Sequence, residues 1–177
     1  MIPLGTVAPD FILYDTVSDR TLSLSNAKGE LATVIMFICN HCPYVKHLNA
    51  EIVKLANDYA TKGVKCIAIS SNNVASTPED SPDKMKETAL NEGYSFPYLY
   101  DEAQSVAKAY DAACTPDFYI FDAAMKLVYR GQLDDARPSN KILITGKDVR
   151  DALDNLLVGK NVSPFQRPSI GCNIKWK

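Results

Sequence analysis

The segment Ala32-Thr33-Val34-Ile35-Met36-Phe37-Ile38 is an apolar run rich in β-forming residues, the pattern of a strand buried on both faces. It runs straight into Cys39-Asn40-His41-Cys42-Pro43. From there the apolar positions Val45, Leu48, Ile52, Leu55 and Tyr59 recur at helical spacing until Gly63 stops them. A strand with two buried faces needs cover on both, so the chain is expected to form an α/β sheet with helices on either side.

The remaining segments extend that pattern. Gly5 to Gly29 alternates apolar and polar residues in short stretches and predicts a hairpin-like β extension over 1–30. Val64 to Ser70 predicts a second central strand. The polar stretch Asn72 to Pro82 reads as a loop leading into a helix that Gly93 ends. Residues 97–100 suit a short strand and Glu102 to Tyr110 a helix. Asp117-Phe118-Tyr119-Ile120-Phe121 and Lys126-Leu127-Val128-Tyr129-Arg130 suit two strands around a turn at Asp122-Ala123-Ala124. A last helix is expected over Lys147 to Val158, with Thr145 as N-cap, Asp148 at the capping-box position and Gly159 beyond the end. Residues 160–177 form a tail. At 177 residues, and with ~100–200 residues per domain, one domain over 1–177 is expected.

Charge and cysteine usage narrow the function classes. Lys plus Arg number 19 against 21 Asp plus Glu, a net charge of −2, so no cationic excess is present to neutralise nucleic-acid phosphates. No apolar run approaches the ~18 residues of a membrane span. The start of the chain lacks the basic and apolar regions of a secretory signal, which makes the cytoplasm the expected location. Five cysteines, an odd number spread from Cys39 to Cys172, make a poor disulfide framework. In a reducing compartment, catalytic, metal-binding or buried roles fit them better.

Cys39 and Cys42 carry the chemistry. A C-x-x-C pair at a strand–helix join lets two sulfurs approach bonding distance, and a helix N-terminus offers free amides and a positive dipole end that favour thiolate over thiol. Proline is favoured at the first helical position, so Pro43 makes Cys42 the N-cap and the more acidic of the two. His41, if protonated, adds positive charge. Half of a metal site, from Cys39, Cys42 and a histidine, is the competing reading; His41 and His47 are the only histidines, and no second C-x-x-C accompanies them.

Cys114-Thr115-Pro116 stands just before a strand. Pro116 reads either as an ordinary strand-edge proline or as a cis proline in a tight turn. Cys66, inside a strand, reads as a small core hydrophobe. Asp134-Asp135-Ala136-Arg137 reads as a solvated loop or a partner contact. Cys172 lies in the tail beside Gly171, with Ile174 and Trp176 to anchor it, so it either joins the redox turn or is a bystander.

Together these motifs carry a resemblance. Gly5-Thr6-Val7-Ala8-Pro9-Asp10-Phe11-Ile12-Leu13 is similar to the amino-terminal segment of the peroxiredoxin-like (alkyl hydroperoxide reductase/thiol-specific antioxidant) branch of the thioredoxin-fold superfamily. Strand, C-x-x-C, helix, Thr-Pro and two strands follow in that superfamily's order. Cys39-Asn40-His41-Cys42-Pro43, Cys114-Thr115-Pro116-Asp117-Phe118 and Pro168-Ser169-Ile170-Gly171-Cys172 resemble a subgroup carrying a thioredoxin-type pair. The resemblance implies a thioredoxin-like fold, with a central mixed sheet, helices on both faces and an N-terminal β extension. It puts Pro116 at the superfamily's cis proline, beside the C-x-x-C, and Cys42 at the peroxidatic cysteine of peroxiredoxins. Against the peroxiredoxin pattern P-x-x-x-T-x-x-C, this chain has Ile35 for the proline and Cys39 for the threonine. No arginine stands just ahead of the Asp117 strand, and Arg130 comes one strand later.

The reading is a thiol–disulfide oxidoreductase with Cys39 and Cys42 as the catalytic pair. His41, Pro43, Thr115 and Pro116 support them, and Cys114 and Cys172 are accessory thiol candidates. The alternatives are a thiol peroxidase with Cys42 peroxidatic and Cys39 resolving, and metal binding. No cofactor and no resident metal are expected. The partners are a disulfide or peroxide substrate and a reducing thiol protein or small thiol, with no nucleic acid and no membrane.

Overall fold

A computed structural model describes residues 1–177. In chain order it forms β1 (Ile12–Asp15), β2 (Arg20–Ser23), α1 (Leu24–Ala27), β3 (Ala32–Phe37), α2 (Pro43–Ala60) and β4 (Val64–Ser70). Then come α3 (Pro82–Glu92), β5 (Tyr98–Tyr100), α4 (Ser105–Ala109), β6 (Cys114–Thr115), β7 (Asp117–Asp122) and β8 (Leu127–Gly131). The chain closes with α5 (Lys147–Leu157) and β9 (Cys172–Asn173). No helix is long and apolar enough to cross a membrane.

Seven strands make one mixed sheet in the order β2-β1-β5-β4-β3-β7-β8. β3 pairs in parallel with β4, and β4 with β5; β7 joins β3, and β1 joins β5, antiparallel. Every residue of β3 is buried, as its composition predicts. Its side chains alternate between two cores. Val34 and Met36 pack with Val45, Leu48, Ile52 and Leu55 of α2 and with the apolar faces of α3 and α5. Ile35 and Phe37 pack on the opposite side with Ile67, Ile69, Tyr110 and the α4 residues Val106 and Ala107. Helices therefore cover both faces of the sheet, and the N-terminal hairpin β1–β2 extends one edge.

Four local expectations change. The extension over 1–30 holds two four-residue strands and a helical turn, because Ser23 caps α1 by accepting from the Asn26 amide. The helix expected over Glu102 to Tyr110 shortens to α4, whose N-cap is Gln104 in the left-handed region. The N-cap of α5 is Gly146 at φ 64°, not Thr145. Leu133 provides the reason: its carbonyl accepts from the Asp148 and Val149 amides at 3.1 and 3.4 Å, the donors of the first helical turn. Asp134 Oδ2 accepts from the Thr145 and Gly146 amides at 2.8 and 2.7 Å and fixes the turn ahead of the helix. The Asp134–Arg137 segment is correspondingly not a solvated loop, since Asp134 and Ala136 are buried.

The tail is bound to the body along its length. β9 pairs antiparallel with β6, with Thr115 opposite Cys172 and Cys114 opposite Asn173. Ser169 Oγ donates to Asp117 Oδ1 at 2.6 Å. The Lys175 amide donates to Asn72 Oδ1 at 2.8 Å, its carbonyl accepts from Gln104 Nε2 at 2.8 Å, and Ile174 is buried. Gly171 is required by close approach, because a Cβ there would collide with the Thr115 carbonyl oxygen.

Candidate active site

The site forms where the C-terminal ends of the adjacent parallel strands β3 and β4 meet the Thr115–Pro116 turn. Cys42 is the N-cap of α2 in extended conformation, and Pro43 opens the helix, as the sequence predicts. Cys39 and Cys42 are both buried. The Thr115–Pro116 peptide is cis. That turn brings two groups to the cysteines: Thr115 Oγ1 lies 3.4 Å from Cys39 Sγ, and the Thr115 carbonyl oxygen 3.2 Å from Cys42 Sγ.

The two cysteines are electrostatically unequal. Cys42 is held well below an ordinary thiol, first by donation from Cys39. The Cys172 thiol and the Val45 amide of the first helical turn add to this, against the opposing effect of burial. The Thr115 carbonyl accepts only, so it works the other way by favouring a proton on Cys42. The donors outweigh that one acceptor, so Cys42 is the more acidic of the pair. Cys39 is driven up, because its proton is shared with the Cys42 thiolate and because it is buried beside the Asp80 charge.

Asp80 is the residue sequence reasoning missed. It is fully buried, and its carboxylate accepts from the Asn40 and His41 amides at 2.7 and 3.2 Å and from Asn72 Nδ2 at 2.8 Å. Its Oδ2 also lies 2.6 Å from His41 Nδ1. Tyr98 Oη donates to Asn40 Oδ1 at 3.1 Å, so the two residues between the cysteines are fixed from both sides. A protonated His41 consequently has its charge offset by Asp80 rather than adding to the field at Cys42. Pro78-Glu79-Asp80-Ser81-Pro82 reads locally as a surface turn. The only pointer to it lay in topology, since loops after neighbouring parallel strands converge.

Cys39 Sγ, a His41 ring nitrogen and an Asp80 oxygen lie within 4.8 Å of one another. That trio, and not Cys39, Cys42 and a histidine, is the set that could face a metal ion. It offers three donors where a closed tetrahedral site takes four.

The other cysteines separate clearly. Cys66 is buried in β4, and burial pushes its thiol up to about 12. Cys114 lies in β6 with its Sγ 3.7 Å from the Pro116 carbonyl oxygen, and burial and the Asp117 charge push it up to about 12. Cys172 is the accessory thiol that reaches the pair, its Sγ 2.8 Å from Cys42 Sγ. Arg130 is spent elsewhere, donating to the carbonyls of Met1 and Ile2.

Solved structures similar to this chain include near relatives and distant ones. An uncharacterized conserved protein of Geobacillus kaustophilus is 60% identical with a TM-score of 0.98, over 100% of this chain and 94% of that one. A hypothetical protein of Sinorhizobium meliloti is 47% identical with a TM-score of 0.97, over 100% and 96% of the two chains. The thioredoxin domain of a thiol-disulfide oxidoreductase of Bacteroides vulgatus shares the fold at 17% identity and a TM-score of 0.69, covering 89% and 99%. Among curated protein sequences none matches. The AhpC/TSA family profile matches residues 4–130, which contain β1 through β7, both cysteines of the pair and the Thr115–Pro116 turn. With its sheet, its thiol pair and that match taken together, the chain belongs to the AhpC/TSA family, a membership that supports thiol redox chemistry at this site.

Proposed function

We propose that the protein is a thiol–disulfide oxidoreductase in which Cys42 attacks and Cys39 resolves. The observation that carries this reading is the position of Cys42, the N-cap residue of α2 ahead of Pro43, with the Cys172 sulfur 2.8 Å away. There the Cys42 thiol is lowered, while Cys39 is driven up beside Asp80. The Cys42 thiolate attacks one sulfur of a substrate disulfide and expels the other as a thiolate, which takes up a proton. Cys39 then gives up its proton and attacks Cys42 Sγ, which releases the second substrate thiol and closes a Cys39–Cys42 disulfide. One disulfide is reduced and one formed. The cycle returns when a reducing thiol protein or small thiol supplies two electrons. The Cys39 proton passes to the departing substrate thiolate; His41 Nδ1, 3.7 Å from Cys39 Sγ, donates to Asp80 and so holds the turn rather than receiving that proton.

This reading inverts the simplest thioredoxin order, in which the first cysteine attacks. It also competes with a peroxidase cycle, in which Cys42 would become a sulfenic acid. A peroxide needs donors aimed at its leaving oxygen. The nearest counterpart to such a donor in the sequence, Arg130, is engaged with the amino-terminal carbonyls instead. Stopped-flow oxidation of the reduced protein by a model disulfide and by hydrogen peroxide tests the proposal. Faster thiol loss with the disulfide, ending in a Cys39–Cys42 bond, is expected. Faster loss with peroxide would assign the protein to the peroxidase class.

A further inference from the structure

The accessory thiol on the tail has a role that a simple dithiol scheme leaves unused. We propose that Cys172 is a third redox thiol of the site: oxidation of the docked protein closes a Cys42–Cys172 disulfide, and Cys39 then displaces Cys172 and frees the tail. This rests on the reading of Cys42 as the attacking thiolate.

Geometry carries it. Cys42 Sγ and Cys172 Sγ are 2.8 Å apart, longer than the ~2.05 Å of a bonded pair, yet nothing lies between them. Neither is in a disulfide in this structure. The approach is built rather than incidental. β9 aligns Cys172 opposite Thr115, the residue whose side chain and carbonyl flank the pair. Gly171 admits the strand against the Thr115 carbonyl, Ser169 ties it to Asp117 on one side, and Ile174 is buried on the other. Asn72 and Gln104 hold Lys175 beyond it. Cys39 and Cys42 are buried, while Cys172 keeps partial exposure, so the tail strand stands between the pair and solvent.

The chemistry balances with a low-molecular-weight disulfide as oxidant. On a transient opening of the tail, the Cys42 thiolate attacks R–S–S–R and expels RS⁻, which takes up a proton. When the tail re-docks, the Cys172 sulfur loses its proton and displaces the second RS⁻ from Cys42, forming Cys42–Cys172. Two cysteine sulfurs are oxidised and one external disulfide is reduced. Attack of the Cys39 thiolate on Cys42 Sγ then releases Cys172 as a thiol and leaves Cys39–Cys42, with no further electron change. The tail is thus held covalently in one disulfide isomer and only by its strand in the other.

Oxidised glutathione is the probe. In reduced full-length Cys39→Ser protein, peptide mapping without reductant should show Cys42 joined to Cys172 within one chain. In Cys39→Ser/Cys172→Ser protein, glutathione should remain on Cys42, with its loss slowed on the order of a hundredfold for want of an intramolecular thiol. Glutathione persisting on Cys42 of the single variant while Cys172 stays free would overturn the proposal. Acid-quenched wild-type protein gives a reading that needs no substitution at Cys39. A transient Cys42–Cys172 species before the Cys39–Cys42 bond supports the proposal, and its absence at every time point overturns it. The two readings fail separately: a Cys42–Cys172 bond with no Cys39–Cys42 bond ever formed removes Cys39 as resolving thiol and leaves Cys172 in that place.

Discussion

Asp80 places one carboxylate oxygen 2.6 Å from the ring nitrogen of His41, a residue 39 positions away in the chain. The same carboxylate holds two amides between the cysteines and an asparagine of the neighbouring loop. A buried charge with this many donors fixes the redox turn to the β4 loop. Its removal strands those donors in the interior.

Asp80→Ala should therefore destabilise the reduced protein by about 3 kcal/mol, from buried amides left without an acceptor. Urea unfolding measures it. The same variant should slow closure of the Cys39–Cys42 bond, because the turn that aims Cys39 at Cys42 loses its anchor. A change in stability below experimental scatter would mean that the turn is held by something other than Asp80.

The inequality of the two cysteines predicts a pH dependence. Thiolate absorbance in the ultraviolet should show one group titrating below the ~8.5 of a free thiol. That step should survive Cys39→Ser and vanish in Cys42→Ser. A folded-state pKa below the unfolded one stabilises the fold above ~8.5, and this contribution fades as pH falls through the folded pKa. Reduced wild-type protein should accordingly gain stability over Cys42→Ser as pH rises toward ~8.5. Persistence of the low-pH step in Cys42→Ser would reverse the roles of the cysteines.

At Gly171 the backbone of the tail meets the Thr115 carbonyl with no room for a side chain. Gly171→Ala should lift β9 from β6. Alkylation of Cys172 should accelerate roughly tenfold for each ~1.4 kcal/mol of docking lost. Thermal unfolding of the body should change little by comparison, since β9 lies outside the seven-stranded sheet. Unaltered alkylation would show that the strand tolerates the collision.

Asp134 makes the turn ahead of α5 a test of what positions that helix. Its side chain accepts from Ala136, Thr145 and Gly146 amides, all within 2.9 Å. Asp134→Ala should cost ~1–3 kcal/mol, from buried amides left without an acceptor. Thr145→Ala should cost far less. The reverse order would restore Thr145 as the cap.

What the sequence discloses and what it hides divide along range of interaction. Ala32–Phe37, the α2 stripe and the Cys42–Pro43 cap are legible because burial pattern and helix entry are local properties. Gly93 in left-handed conformation at the end of α3 is local in the same way. Asp80 and Asp134 were not legible as they stand. Each reads as a polar loop residue, and each is buried because amides from distant segments converge on it. β6 and β9 are two residues each, too short for any periodicity to announce, and only the tertiary path brings 114–115 and 172–173 together. The tail was recognisable as a docking segment from Ile174 and Trp176, but not its strand register, which decides that Cys172 faces Cys42.

One consequence of the docked tail is optical. Trp176 is the sole tryptophan of the chain, exposed at the surface, with the Lys108 ammonium 5.7 Å from its ring centroid. Intrinsic emission excited selectively in the indole band thus arises from the tail alone, with no background from the sheet. Release of the strand would free the ring from that cation and wet it fully. The protein carries its own fluorophore for following, in real time and without a label, whether the segment over its thiols is closed or open.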